Sequence, residues 1–391
     1  MGLLNGSGAG RNPDSAPPDN SHRPRCRQLG IKIGLFPPGE HNAITDVAGV
    51  KVGHSTIWHG EGRLVTGRGP ARTGVTAVVL HDSNPIKNPV EAASYVFNGA
   101  GTTTGLACVD EYGLIETPII LTNTLSVGTA YDTLVRYIVE NFIQGPDDRG
   151  WFAPVVGETY DGFLNDIHGL HVRAEHVREA ISTAATGPVA EGAVGAGTGV
   201  KTCGFKAGIG TSSRVIELEG REFTVGVLVQ SNVPGTLVVD GVPVGKELGV
   251  VDKDLAGDQQ GSIMAVIATD LPLDARQLRR LAARGALGMA RTGVSGSHGS
   301  GDFFIAFSTT YRAGAHDTRE LFYRPQRIRD ENLLTPAFVV SADAVEEAIL
   351  NSIFKAAAVV GRDGNTVGEL DLEKTLEILR KYGRKFQSSV Q

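Results

Sequence analysis

A serine at the head of a buried strand is the first group in this sequence able to do chemistry. In "GDQQGSIMAVIATDLPL" (257–273) a polar loop ends at Gly261, and Ser262 leads straight into Ile263, Met264, Ala265, Val266, Ile267 and Ala268. That run reads as a strand destined for a core. A serine hydroxyl is a weak nucleophile at neutral pH unless a base takes its proton. Cutting the Gly261–Ser262 bond would supply one on the same residue, since a free α-amine has a pKa of about 7.7–8. Gly261, with no Cβ to clash, suits the strained backbone that an N-to-O acyl shift needs. The competing reading of the junction is an ordinary turn rich in Gly and Asp.

Other familiar motifs come close and fail. "GAGTGVKT" (195–202) nearly spells a phosphate loop, but Val200 stands before Lys201 where that loop needs glycine. "NDIHGLHVRAEH" places His168, His171 and His176 near Asp166 without the helical histidine pair of a zincin, so no metal site and no cofactor are expected. No serine sits in G-x-S-x-G, which argues against a nucleophile elbow. Ser297, His298, Ser300 and Asp302 form a local cluster that an ordinary serine hydrolase could use with histidine as base.

The elements that must position these residues follow from the pattern of the whole chain. Its 391 residues suffice for one large or two ordinary domains, and a net charge of -6 argues against nucleic-acid or anionic-membrane partners. Cys26, Cys108 and Cys203 are too few and scattered for a disulfide framework. Residues 1–29 lack an apolar signal core and read as a disordered extension ahead of a single domain, 30–391. With no apolar run of the roughly 18 residues that span a bilayer, the reading is cytoplasmic. Strands are predicted over 74–82, 117–124, 261–270 and 301–312, and a hairpin around Glu219–Gly220. Helices are predicted over 128–143, 171–185, 273–290 behind an Asp274 cap, and 341–360. Strands and helices mix without regular βαβ alternation, which favours a layered α/β or α+β sandwich.

Long stretches then carry a resemblance. "NAITDVAGVKVGH" (42–54), "ETYDGFLNDI" (158–167), "GTGVKTCGFKAGIGTSSR" (197–214), "GVLVQSN" (226–232), the Gly261–Ser262 segment, "SHGSGDFFIAFST" (297–309) and "GRDGNTVGEL" (361–370) resemble, in order, the L-aminopeptidase D-Ala-esterase/amidase family, which includes the β-aminopeptidases. The resemblance implies an α/β/β/α sandwich like that of N-terminal nucleophile hydrolases but differently connected. It implies a precursor that cleaves itself into a large chain ending at Gly261 and a small chain, 262–391, that stay together, and a homo-oligomer, a tetramer of two-chain protomers.

Carried over residue by residue, Ser262 matches the self-generated nucleophile and Gly261 the new C-terminus. Tyr160 and Asn232 match residues near the nucleophile, a phenol and an amide able to donate to an oxyanion. Ser300 and Asp302 match a hydroxyl and a carboxylate that orient the nucleophile. "QSN" is followed by Val233 and Pro234, where the family pattern usually contains glycine. An aminopeptidase must hold a free ammonium, and Glu158, two residues before Tyr160, is the expected carboxylate. The expected substrates are peptides, amides or esters with a free N-terminal amine. Alternatives are an acyltransferase of the ornithine acetyltransferase type, the Ser/His/Asp hydrolase above, and a non-enzymatic binding protein.

Overall fold

Glycine turns cut the chain into short strands, and the strands assemble into two sheets whose shared face is apolar. The computed structural model describes residues 16–145, 150–251, 261–312, 327–329 and 334–386. In chain order the strands are β1 (Lys51–His59), β2 (Ala71–Val79), β3 (Val90–Gly99), β4 (Leu114–Ile115), β5 (Ile119–Asn123), β6 (Val155–Thr159), β7 (Lys201–Thr202), β8 (Phe205–Lys206), β9 (Ile209–Leu218), β10 (Arg221–Asn232), β11 (Gly261–Thr269), β12 (Ser300–Arg312), β13 (Val359–Val360) and β14 (Thr366–Val367). The helices are α1 (Leu106–Tyr112), α2 (Val127–Phe142), α3 (Ala174–Ser182), α4 (Val244–Glu247), α5 (Ala275–Arg291), α6 (Leu334–Phe354) and α7 (Leu372–Lys381).

One sheet runs β1-β2-β5-β6 and the other β4-β3-β12-β11-β10-β9; β7/β8 and β13/β14 are small separate pairs. Between the sheets lie Val78, Ile119 and Leu121 from the first and Leu228, Met264, Val266, Phe303 and Ile305 from the second. The outer face of the larger sheet, with Val227, Ile263, Ala265 and Phe304, packs on Leu278 and Leu281 of α5 and Val345 and Ile349 of α6. The outer face of the smaller sheet, with Val75, Ala77 and Ile120, packs on Leu134 of α2 and Val177 of α3. The order is therefore helix, sheet, sheet, helix, the sandwich expected. Asp274 caps α5 as expected, its side chain accepting from the Gln277 N–H.

Helix α6 starts earlier and ends earlier than its sequence pattern predicts. Pro336 fits its first turn, where a missing N–H costs no bond. The helix is buried on nearly every side, including Glu346 and Glu347. Residues 23–27, from the segment ahead of the first strand, lie against it; residues 1–15 lie outside the described residues. Arg23 donates to the carbonyls of Phe354 (2.9 Å) and Leu370 (2.8 Å). Arg25 pairs with Glu191 at 2.8 Å. Arg27 pairs with Glu347 at 2.9 Å, and Arg214 meets the same carboxylate at 2.5 Å. This stretch has too few apolar residues to look like core, yet it neutralises carboxylates that α6 and Glu191 bury. Burial pushes the Glu347 carboxyl up, but Arg214, Arg27 and Asn42 hold it below the ordinary value.

Removing one partner of a buried ion pair costs on the order of 3 kcal/mol. Arg27→Ala is therefore expected to lower the unfolding free energy by that order at neutral pH, read as a lower urea midpoint. A midpoint equal to that of the unmodified protein shows the segment to be a passive cover.

Candidate active site

The register of β11 decides what Ser262 meets. It pairs antiparallel with β10, setting Asn232 opposite Ser262, and parallel with β12, setting Gly301 opposite Ser262 and Ser300 opposite Gly261. Successive strand residues face opposite sides. Ser262 shares its face with Met264 and Val266, so its hydroxyl enters the layer between the sheets, where the residue is only 3 % exposed.

Two donors meet that hydroxyl oxygen. The backbone N–H of Tyr160, just past the end of β6, donates to Ser262 Oγ at 3.1 Å, and Asn232 Nδ2 lies at 3.5 Å. The expected phenol of Tyr160 is not the atom brought here. Its ring lies over Gly162, where an added Cβ would stand 2.5 Å from the hydroxyl. The turn presenting Tyr160 is held by Asp161, whose Oδ1 accepts from Asn165 Nδ2 at 2.9 Å while Asn165 Oδ1 accepts from the Arg72 N–H at 2.9 Å. Full burial pushes the Asp161 carboxyl up to about 7.

The amide of Asn232 is oriented from its other end. Its Oδ1 accepts from the Lys201 N–H at 3.2 Å, which leaves Nδ2 for Ser262. The preceding carbonyl, Val200, accepts from the ammonium of Lys206 at 2.8 Å; Gly197 O accepts at 3.1 Å, and Ala207 O is the third acceptor. Burial lowers the Lys206 pKa to about 7.

Ser300 and Asp302 come together but on the other face of the sheet. Ser300 Oγ donates to Asp302 Oδ1 at 2.6 Å, and Asn98 Nδ2 donates to Asp302 Oδ2 at 3.0 Å. Ser300 Oγ flanks the α-carbon of Gly261. No hydrogen bond joins Ser300 to Ser262 among the described residues. Burial raises the Asp302 carboxyl pKa, opposed by the Ser300 and Asn98 hydrogen bonds.

Glu158 is 2 % exposed at the end of β6. Its Oε1 accepts from the Thr102 N–H at 2.9 Å and its Oε2 from the Thr124 hydroxyl. Gly101 is wedged between Glu158 and Gly301: an added Cβ would stand 2.9 Å from Glu158 Oε1 and 3.4 Å from Gly301 Cα. Gly301 is the register partner of Ser262, so the carboxylate and the hydroxyl occupy neighbouring strand ends. Burial raises the Glu158 pKa against the Thr124 and Thr102 hydrogen bonds.

The other clusters separate. His298 is exposed and makes no hydrogen bond to Ser300 or Asp302 among the described residues, which removes the base from the local Ser/His/Asp reading. His171 Nε2 meets Asp166 Oδ2 at 2.9 Å, His176 Nδ1 accepts from the Arg173 N–H at 3.0 Å, and His168 is exposed. Residues 257–260 of the loop before the junction lie outside the described residues. Asn98, Asp161 and Lys206 escaped the sequence reading. Only Asp161 and Lys206 lie in the quoted motifs, and there an acid beside Tyr160 and a lysine between apolar residues and glycines were the available signals.

Two packed sheets between helical layers, with a serine hydroxyl at the head of a central strand, define a hydrolase of the N-terminal nucleophile fold. The model for Peptidase family S58 matches residues 42–367, and the chain belongs to that family and is an aminopeptidase. It is similar to the β-peptidyl aminopeptidase of Sphingosinicella microcystinivorans, 44% identical over 92% of this chain and 93% of that protein. Among solved structures it is similar to a Burkholderia sp. β-aminopeptidase, 42% identical with a TM-score of 0.83, covering 92% and 99% of the two chains. The L-aminopeptidase D-Ala-esterase/amidase of Ochrobactrum anthropi, described as a variant of the Ntn hydrolase fold, is 41% identical with a TM-score of 0.85, covering 93% and 99%. The family sets aside the acyltransferase and binding-protein alternatives.

Each carbonyl that Lys206 leaves unpaired costs on the order of 1–3 kcal/mol. Lys206→Met is expected to destabilise the fold by at least one such increment, read as a lowered thermal midpoint. An unchanged midpoint would show that the carbonyls find other partners.

Proposed function

We propose that the protein cuts its own Gly261–Ser262 bond and then works as an aminopeptidase with Ser262 as nucleophile. The observation that carries this is a single one: a buried hydroxyl, met by the Tyr160 N–H and the Asn232 amide, follows a glycine whose α-carbon has no room for a side chain. In self-cleavage, Ser262 Oγ adds to the Gly261 carbonyl carbon. The C–N bond to Ser262 then breaks, the leaving nitrogen takes up the proton that Oγ released and becomes the free amine, and the glycyl ester left on Oγ is hydrolysed by water. The products, residues 1–261 and 262–391, stay together because β11 is paired on both sides.

In the mature enzyme the Ser262 amine takes the Oγ proton as Oγ attacks the substrate carbonyl. The Tyr160 N–H and Asn232 Nδ2 stabilise the oxyanion, a role now given to the Tyr160 backbone rather than its phenol. Ser300, which flanks Gly261, and Asp302, which accepts its hydrogen bond, then orient the new amine. Glu158 binds the substrate ammonium. Its near-complete burial supports this, because a carboxylate away from water gains most from a charged partner. The substrates are short peptides, amides or esters with a free amine; the named activities of the relatives span L-α, D-alanyl and β-aminoacyl groups. We place the enzyme in the cytoplasm as a homo-oligomer, a tetramer of two-chain protomers. The scarcity of cysteine, 3 in 391 residues, supports a reducing compartment and the family resemblance supports the assembly. No helix among the described residues is long and apolar enough to cross a membrane.

A denaturing gel of purified protein is expected to show two bands, the smaller beginning Ser-Ile-Met-Ala on N-terminal sequencing, while Ser262→Ala stays a single inactive chain. Full-length protein alone after prolonged incubation, or an active Ser262→Ala, would refute the mechanism.

The pH profile tests Glu158. Protonating the Ser262 amine removes the base, so log kcat/KM should fall with unit slope below about 7.7–8. The Glu158 carboxyl has a raised pKa, so it is neutral over a wider acid range and loses its hold on the ammonium there. The slope should therefore steepen at a pH above the usual glutamate value of about 4.3. In Glu158→Gln only the first slope should remain, with self-cleavage intact; an unchanged profile assigns the amine to another group.

A further inference from the structure

Gly261 meets a rigid wall. A Cβ placed on it would stand 2.3 Å from Pro234 Cδ, 3.2 Å from Pro234 Cγ and 3.0 Å from Ser300 Oγ. The serine hydroxyl can rotate away, whereas the proline ring cannot, because ring closure fixes its φ. The backbone around it is also tied. The Val233 carbonyl accepts from the Cys203 N–H at 2.9 Å, and the Pro234 carbonyl accepts from the Ser295 N–H at 3.3 Å. Val233 itself is 1% exposed, so the segment has no slack toward the core.

This wall stands over the α-carbon of the residue whose carbonyl Ser262 attacks, on the side where an L side chain projects. During the acyl shift the carbonyl carbon is bonded at once to Ser262 N and Oγ in a five-membered ring. The α-carbon attached to it therefore stays close to the position Gly261 occupies. A substrate acyl group passes through a tetrahedral carbon on the same Oγ, and its α-carbon approaches the same wall.

We propose that Pro234 is a specificity-determining residue that admits acyl groups with a bare CH2 beside the carbonyl and rejects L-α-aminoacyl groups. The admitted class comprises glycyl, β-alanyl and those β-aminoacyl groups whose side chain is carried one carbon further from the carbonyl. This rests on Ser262 being the nucleophile and deepens that reading by naming the substrate class. The same wall explains why the residue before the cut is glycine.

The test compares p-nitroanilides of glycine, β-homoalanine and L-alanine on the self-cleaved protein. The last two carry the same methyl group, moved by one carbon. The glycyl and β-homoalanyl substrates should exceed L-alanyl in kcat/KM by about 10- to 200-fold, the discrimination that a single methyl group produces in a tight pocket. Pro234→Gly, and Pro234→Ala as a second variant in case the first misfolds, should shrink that ratio by about tenfold or more, through faster use of L-alanyl. In the precursor, Gly261→Ala should remain uncut and should cut again when combined with Pro234→Gly. Equal use of L-alanyl and β-homoalanyl substrates, a ratio unmoved in both Pro234 variants, or Gly261→Ala cutting at the original rate each overturns the role of Pro234. If those results come from a cleaved and active protein, the nucleophile reading survives. A protein that never exposes Ser262 as an N-terminus overturns both.

Discussion

The register that sets β11 between Asn232 of β10 and Gly301 of β12 is the constraint on which the site depends. A strand paired on both edges cannot slide by one residue without sending Ile263 and Ile267 from the helical layer into the space between the sheets. That apolar penalty fixes the side on which the Ser262 hydroxyl emerges. The same register fixes what lies around the bond before it, because Ser300 is the partner of Gly261 and its side chain shares the opposite face. One bond thus has two chemical environments. The Ser262 hydroxyl, the attacking group in the proposed mechanism, faces the layer between the sheets, and Ser300 with its partner Asp302 lies on the other side.

Legibility in the sequence divides along physical lines. The apolar run after Ser262, the Asp274 cap and the alternating hairpin strands are local signals, and the elements formed there. What depends on long separations in the chain was not legible. Arg27 meets Glu347 across 320 residues, so a segment poor in apolar residues reads as disordered although it completes the cover of a buried helix. Asn98 reaches Asp302 across 204 positions, and no pattern around either residue announces the other. At Tyr160 the group that meets Ser262 Oγ is the backbone N–H. Sequence shows a phenol, whereas the direction of a backbone N–H depends on the turn after β6, which Asp161 and Asn165 shape through hydrogen bonds.

The donors at Ser262 differ in how they are held. The Tyr160 N–H belongs to the backbone and has no rotamer to lose. The Asn232 amide could turn either end toward the hydroxyl, and only the N–H end assists an oxyanion. The Lys201 N–H removes that choice by occupying Oδ1. Its own direction follows from the Val200 carbonyl, which shares the same peptide plane and is tied to the Lys206 ammonium. A buried lysine with three carbonyl acceptors thus acts on the site through a single peptide unit. This accounts for a charged side chain in a place where an apolar residue of similar length would pack without the cost of desolvation.

Burial of the site acts in the same direction on its two carboxylates. Glu158 and Asp302 are both shifted toward the neutral form by desolvation, and neither has a cationic partner among its hydrogen-bonded neighbours. A cation arriving beside either one is therefore favoured by more than it would be at the surface. In the proposed mechanism two cations arrive, the substrate ammonium at Glu158 and the Ser262 amine, once protonated, near Asp302. They arrive at different stages, because the amine takes its proton only as Oγ attacks. The carboxylate that binds substrate must be charged from the outset, whereas the one beside the amine gains its partner as the transition state forms. An interaction that appears only then lowers the barrier without tightening the ground state, and the face-to-face division imposed by β11 keeps the two carboxylates from serving the same cation.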